Sequence, residues 1–417
     1  MGINKNSFAY RCSRSAYYAL WRQNPLVYRF LLPLKLRSVP PDPGEHSSIS
    51  FPPNRIQHVY LAPDSPRGIS GGEQAGAQDG DWDKHLVRIS DTWIYECVRR
   101  FLLSPKPDAA EVESIRAESR TRMTELDRIL AETNGGPKGL TDLISTAVIP
   151  SPGKRPAADI FIRIGKHGQI LCEALASSVI ALSVAQLTNC SETEGVISFR
   201  HKAWEQVRQK FFVLARSAFS EGHGALYQQL WHPDLKDVPH LHKWDDRARY
   251  IEAAAGEGPA GTALDIGANL GFFCHRLEDL GFRCRAIENN AILIDYMRLL
   301  RDIEGKTFKT TCTNILGRRM DAICSQEYDL VLALAIFHHF LKKERDYERL
   351  KRLLQNLKMK RMVLQTHDPS ENQMRNAFRN FDPDAFADHI VSLSCLTRRQ
   401  FMGKTSEGRH VYLLSRS

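Results

Sequence analysis

The sequence predicts an α/β protein with a parallel sheet, on three observations. Thr262–Glu288 reads as strand, glycine turn, helix and second strand, with an acid at the end of the second strand. Beyond it, short apolar runs continue to alternate with helical periods, the pattern of a parallel sheet with helices on both faces. Tyr328–Ala335 is nearly continuous in apolar residues, as a central parallel strand buried on both sides must be.

Composition sets the bounds. A chain of 417 residues has room for two or three domains, each able to bury a core. Hydrophobic residues at 42% and charged residues at 25% place it among globular proteins. The net charge of +9 permits contact with anionic substrates, nucleic acid or membrane surfaces without requiring any of them. The nine cysteines are scattered and form no C-x-x-C pair, which reads as a reduced, cytoplasmic protein without a structural zinc site. No apolar run reaches the roughly eighteen residues of a transmembrane helix. Ala16–Leu36 is interrupted by Arg22, Gln23, Asn24 and Arg29, so it is neither signal peptide nor membrane helix. Peripheral membrane contact through a basic amphipathic helix stays open.

Residues 1–150 read as a mainly helical and extended region. Basic residues there interleave with Tyr17, Tyr18, Trp21, Tyr28 and Phe30, and Val39–Gly44 breaks the segment with prolines. Ile56–Leu61 is a candidate strand. Gly80–Lys84 reads GDWDK, where Trp82 plugs a core and the aspartates cap a helix, or the acids grip a sugar or cation. Thr92–Leu103 and Glu111–Glu132 carry helical periods, and Gly135-Gly136-Pro137 ends the second.

Residues 151–215 form a smaller α/β segment. Phe161–Leu171 reads as two strands around a glycine turn, then come an apolar helix to Leu187, a strand through Val196–Phe199, and a helix bearing Trp204, Val207, Phe211 and Phe212. Residues 216–250 read as a connector. It holds His223, His232, His240 and His242, yet no ligand spacing supports a metal site and Pro233 and Pro239 make it a loop.

Residues 251–417 carry the chemistry. After the run Ala263-Leu264 come Asp265, Gly267, Asn269 and Gly271, then a helix with Phe272, Phe273, Leu277 and Leu280 on its apolar positions. Glycines after a buried strand let a ligand approach the N–H groups at a helix N-terminus. Glu288, ~20 residues on, is placed to accept both hydroxyls of a ribose. A dinucleotide fingerprint is G-x-G-x-x-G, whereas the spacing here is G-x-x-x-G, and the Asp265 carboxylate would repel a pyrophosphate. An adenosine ligand with a cationic amino acid group fits better, which favours S-adenosylmethionine over NAD. The strand–helix alternation continues through Asn290–Ile303, Phe308–Cys312, Arg345–Leu357 and Arg361–Gln365, and the expected final hairpin pairs Ile390–Leu396 with His410–Leu414. Ligands of such sheets sit beyond the carboxyl ends of the strands. That rule adds Asn314, as an adenine partner or simply a turn former, and the run Phe337-His338-His339-Phe340. His338 or His339 can act as general base or as a structural link to the next helix, with His367 a further candidate base.

LDIGANLGFFCHRLEDLGF, YDLVLALAIFHHFL and GRHVYLL together resemble the class I S-adenosylmethionine-dependent methyltransferases, in a bacterial family where a substrate-side domain precedes the cofactor domain. The GDWD stretch belongs to the same likeness. The resemblance implies a Rossmann-like, seven-stranded methyltransferase sheet closed by an antiparallel hairpin, with Asp265, Gly267, Asn269 and Gly271 at the methionine part of the cofactor and Glu288 at its ribose. The 151–215 segment resembles a ParB-like domain in degenerate form. Its region Ala174–Leu187 lacks the glycine, histidine and arginine of that domain's phosphate signature, so no site residues carry over.

The expectation is a cytoplasmic methyltransferase acting on a small-molecule acceptor such as a sugar or other hydroxylated metabolite. An RNA methyltransferase and a non-catalytic scaffold that keeps the fold are the alternatives.

Overall fold

The computed structural model describes residues 48–60, 86–103, 109–118, 144, 160–173, 176–190, 192–216, 224–242 and 244–416. The N-terminal aromatics, the Gly80–Lys84 stretch, the helix beyond Glu118 and the Gly135-Gly136-Pro137 break lie outside them. The chain divides into two units, Pro41–Arg208 on one hand and Met1–Pro40 with Gln209–Ser417 on the other.

The Pro41–Arg208 unit contains strands β1 (Ser48–Phe51), β2 (His58–Tyr60), β3 (Leu86–Arg88), β4 (Ile160–Ile164), β5 (Ile170–Glu173) and β6 (Thr193–Arg200). They form one mixed sheet in the order β1-β6-β4-β5-β2-β3. The boundary expected near residue 150 therefore falls inside a single sheet. The expected glycine turn joins β4 and β5 as an antiparallel hairpin. Gly168 adopts φ +81°, and a Cβ there would come within 2.6 Å of the Trp204 ring, so both conformation and space ask for glycine. Helices α1 (Trp93–Leu103), α2 (Ala109–Glu118) and α3 (Ala176–Leu187) complete the described part. Val179, Ile180 and Leu182 of α3 are buried, while its Gln186 donates to the carbonyls of Pro53 at 3.0 Å and Ile56 at 2.8 Å. Helix α4 (Lys202–Arg216) runs through the boundary between the units.

In the Gln209–Ser417 unit, two short strands, β7 (Leu226–Gln228) and β8 (His240–His242), pair in parallel. The main sheet contains β9 (Thr262–Ile266), β10 (Arg283–Glu288), β11 (Lys309–Cys312), β12 (Tyr328–Leu334), β13 (Met359–Gln365), β14 (Arg398–Lys404) and β15 (His410–Ser415). Its order is β11-β10-β9-β12-β13-β15-β14, parallel except for β15, which runs antiparallel to both neighbours. Chain order thus reverses between β9 and β12, and the crevice at such a switch point is where open α/β sheets bind ligands.

The helices follow from local rules. Helix α5 (Asp245–Gly256) leads into β9. Helix α6 (Phe272–Asp279) starts at Gly271 and ends at Gly281, where the Phe282 N–H returns to the Leu277 carbonyl at 2.9 Å. Helix α7 (Ala291–Ile303) is capped by Asn290, whose side chain accepts from the N–H of Ile292 and Leu293. Helix α8 (Met320–Cys324) is short. Helix α9 (Glu344–Asn356) has acids in its first turn and buries Tyr347, Leu350, Leu353 and Leu354, each leucine contributing about 1.5–3 kcal/mol.

The expected closing hairpin needs correction at its first strand. Ile390 lies in helix α10 (Pro383–Leu393), and β14 instead spans Arg398–Lys404. Pro383 starts that helix after Asp382, and Phe386, Ala387 and Ile390 bury its inner face. β14 is one of the two edge strands, with Arg398 to Phe401 exposed, so it offers no apolar alternation for a sequence reading to find.

Candidate functional site

The turn after β9 is built from left-handed residues. Gly267 (φ +78°), Asn269 (φ +54°) and Gly271 (φ +80°) carry the chain from strand to helix. The N–H groups of Gly267 and Ala268 both donate to the Ile287 carbonyl, at 2.8 and 3.0 Å, which ties the turn to β10. A Cβ on Gly267 would lie 3.0 Å from Ile336 of the segment after β12, and one on Gly271 would lie 2.9 Å from Met297.

The two acids flank this turn differently. Glu288 is 8% exposed and reaches back to it, accepting from the Asn269 N–H at 3.0 Å, the Asn289 N–H at 2.8 Å and the Asn290 N–H at 2.9 Å. Burial raises its pKa, and these three donors oppose the rise. A carboxylate offers about four acceptor positions, so capacity remains for a ligand hydroxyl. Asp265 is 3% exposed and takes a 3.7 Å contact from the Cys274 thiol in the first turn of α6. Burial pushes its pKa up to about 7, the Cys274 hydrogen bond pulls against that, and the charge of Glu288 adds to it.

Asn314 is exposed and its side-chain oxygen accepts from the Leu316 N–H at 2.9 Å, forming the turn after β11. Its carbonyl meanwhile accepts from Gly317.

Beyond β12 the backbone is strained at Ala335, with φ +50°, before the single-turn segment Phe337–Leu341. That segment sets the His338 ring 4.0 Å from His339 and 6.0 Å from His367, which follows β13. His338 is buried, and neither ring nitrogen has a hydrogen-bond partner. Burial, then the neighbouring His339 and Arg409, hold its pKa down to about 2. His339 is exposed as a residue, while partial burial of its ring, then Lys342 and Arg409, hold its pKa down to about 4. His367 has Nε2 on Asn380 Oδ1 at 2.9 Å and Nδ1 without a partner, and burial lowers its pKa. All three histidines therefore stay neutral near pH 7.

The structure adds residues that no local signal in the sequence marks. Gln228 of β7 is buried against the glycine turn, and with its amide oxygen facing that turn it accepts from the N–H of Leu270 at 2.8 Å and of Gly271 at 3.3 Å. Arg247 of α5 is 1% exposed. Its Nε donates to Gln365 Oε1 at 2.8 Å, its Nη2 to Glu407 Oε2 at 2.7 Å, and its guanidinium stacks 4.0 Å from the Trp244 ring centroid. Glu407 also pairs with His242 Nδ1 at 2.6 Å, and this contact first, with Arg247, holds its pKa at about 2. Gln365 Nε2 is buried and unpartnered at the end of β13. The histidines expected in a connector loop thus have structural places: His232 accepts from the Asp234 N–H, His240 sits 3.0 Å from the Val238 carbonyl, and His242 meets Glu407. His223 lies outside the described residues.

The structure brings Asp265, Gly267, Asn269, Gly271 and Glu288 together around one turn, and His338, His339 and His367 together beyond the next two strands. Asn314 stands apart on the turn after β11 with its oxygen already engaged. Positive-φ glycines, a reachable carboxylate and buried polar atoms without partners suit an adenosyl ligand with a cationic group. Such a charge would be stabilised by ionised Asp265.

No family model and no curated protein matches the chain. Among solved structures it is similar to the bifunctional kinase-methyltransferase WbdD, at 20% identity over 48% of this chain and 45% of that one, with a TM-score of 0.40. It is similar to magnesium protoporphyrin IX methyltransferase from Synechocystis PCC 6803 with bound SAM, at 11% identity over 41% and 80% of the two chains (TM-score 0.32). A third similarity is to the methyltransferase domain of bacterial CtHen1, at 13% identity over 41% and 97% (TM-score 0.33). The chain spans less than half the length of these WbdD structures.

Proposed function

We propose that the Gln209–Ser417 unit binds S-adenosylmethionine at the carboxyl ends of β9 and β10 and transfers its methyl group to a small hydroxylated acceptor held beyond β12 and β13. The observation that carries this reading is Glu288 folded back onto the left-handed Gly267–Gly271 turn at the switch point of a seven-stranded sheet with one antiparallel strand. Such an acid can take a ribose hydroxyl on its remaining acceptor position, at the crevice where the strand order reverses.

When bound, the donor supplies an electrophilic methyl carbon on a positively charged sulfur. The chain's part is alignment and proton handling. Asp265, Glu288 and the Gly267–Gly271 turn would hold the donor, and displacement of its methyl carbon by the acceptor oxygen would leave the bonding electron pair on sulfur. The acceptor's proton passes to a neutral imidazole, for which His338 is the first candidate and His339 and His367 the others. A pKa near 2 gives His338 little pull on a resting hydroxyl. Its work is to accept the hydroxyl hydrogen bond and orient the oxygen, with the proton moving late, when charge develops. Asn314, if it meets the adenine, does so through its amide N–H₂.

The test is transfer of labelled methyl from the donor into fractionated cell extract, with and without ribonuclease. Label in small molecules that resists ribonuclease supports the reading. Label lost with ribonuclease points to an RNA acceptor. Donor binding without any transfer points to a scaffold.

A further inference from the structure

At the opposite end of the same sheet, the structure holds a groove of about 1060 Å³ that the methyltransferase reading does not use. Thr262, Arg283 and Lys309, the first residues of β9, β10 and β11, line it, so it opens at the amino ends of the strands. Five cations face it: Arg283, Arg285, Arg298, Arg301 and Lys309. The carboxylate lining it, Glu278, is occupied by the N–H groups of Thr307 at 2.8 Å and Phe308 at 3.2 Å.

The cations are displayed rather than neutralised. Among the described residues, Arg283, Arg285, Arg298 and Lys309 have no carboxylate within 4.0 Å, and Arg301 pairs with its chain neighbour Asp302. Arg298 is held through Nε by Thr310 Oγ1 at 2.9 Å and Arg285 through Nε by Thr311 Oγ1 at 3.4 Å, and Arg285 also hydrogen-bonds the buried Tyr328 hydroxyl, so Arg283, Arg298 and Lys309 are the cations left to a ligand. Arg285 and Lys309 stand directly opposite each other in the β10–β11 register. Like charges in that arrangement repel and weaken a sheet unless an anion lies across them. Charged residues on an edge strand can serve merely to block edge pairing, but Arg283 and Arg285 lie on β10, which is paired on both sides.

We infer that this groove binds the phosphodiester backbone of a nucleic acid, independently of base sequence. Guanidinium forks match phosphate oxygens, and a groove that follows the sheet edge suits a chain-like polyanion better than a flat anionic surface. Its aromatic residues, Phe282 and Phe308, are each 2% exposed, so they give no platform for stacking bases. The inference stands whether or not the opposite end of the sheet transfers methyl groups.

The experiment is fluorescence anisotropy of the full chain with labelled 20-nucleotide oligouridine and oligothymidine across a salt series, beside the variant Arg283→Glu/Lys309→Glu. Both positions are exposed, and circular dichroism with thermal melting establishes that the variant is folded; Arg298→Ala serves as a second, milder variant. The wild type should bind at low salt, the double variant should lose at least about tenfold in affinity, and its salt slope should flatten by about 1–2. Equal binding to the two strands indicates phosphate recognition alone; preference for oligouridine adds a 2′-hydroxyl contact in the groove only if the double variant abolishes it. No binding by the wild type overturns the inference. So does a folded double variant with unchanged affinity and slope, which would put the contact elsewhere, or binding confined to anionic vesicles or polyglutamate.

Discussion

Glu288 and Asn269 are 19 residues apart in the chain and joined at 3.0 Å, the carboxylate of the second strand accepting the N–H of the turn that follows the first. One side chain thereby fixes the spacing between the two surfaces that a ribose and a methionine moiety would touch. Glu288→Ala leaves three backbone N–H groups without their acceptor. The expected cost is about 1–3 kcal/mol or more, read as a lower melting temperature of the ligand-free protein, together with a large loss of donor affinity.

Asp265 gives the site a pH dependence with a definite sign. Its folded pKa of about 7 exceeds the unfolded value, so the stability it contributes is present below about pH 4 and is lost as pH rises through 7. Asp265→Asn should therefore gain in melting temperature relative to the wild type between pH 5 and pH 8. Donor binding should behave oppositely: a cationic ligand needs the carboxylate ionised, so affinity should fall as pH drops below 7. The variant should lose that dependence. A melting difference constant with pH would contradict the assignment.

The two glycines of the turn should not be equally tolerant. A Cβ at Gly271 meets Met297 Cγ at 2.9 Å and Phe308 at 3.3 Å, whereas at Gly267 it meets the end of the Ile336 side chain at 3.0 Å. Both positions add about 1–2 kcal/mol of left-handed strain when glycine is replaced. Gly271→Ala should thus lower stability more in denaturant unfolding, and Gly267→Ala should chiefly weaken donor binding.

Arg247 is the cation at the end of β13, and its loss should be felt in stability. Arg247→Ala leaves Gln365 without its donor and Glu407 with His242 alone, at an expected cost of about 2 kcal/mol or more. Glu407 is partly exposed, which keeps the figure below that of a fully buried pair. Urea unfolding at neutral pH measures it.

His338→Ala should lower kcat by about 10²-fold or more while leaving donor affinity within about twofold. Because His338 is neutral above pH 2, the rate should show no histidine-like inflection between pH 6 and 9 apart from that of Asp265. A decrease confined to His339→Ala or His367→Ala would move the role to that ring.

What could be read in the sequence and what could not divides along a physical line. β9, β12 and β13 were legible because their central residues are buried on both faces and form apolar runs; the Gly267–Gly271 turn and Glu288 were legible because glycine spacing and a strand-ending acid are local features. β14 was not, because an edge strand with exposed Arg398 and Arg399 has no apolar face to announce it. Helix α10 was misread for the complementary reason: its inner-face residues Phe386, Ala387 and Ile390 run into Val391 and Leu393, which imitates a strand. Arg247, Gln365 and Glu407 come together from segments up to 160 residues apart, and Gln228 meets a turn about 40 residues further along, so no window of sequence contains them. The groove of Arg283, Arg285, Arg298, Arg301 and Lys309 was hidden likewise, since its cations lie on three elements and form no run of like charge.

Calorimetric titration of the purified chain with S-adenosylhomocysteine at pH 8, beside Glu288→Ala, tests the central claim most directly. The account predicts one site per chain in the wild type, with micromolar-range affinity, and at least about tenfold weaker binding in the variant. Absence of any binding heat in the folded wild type, or equal affinity in the two proteins, would contradict it.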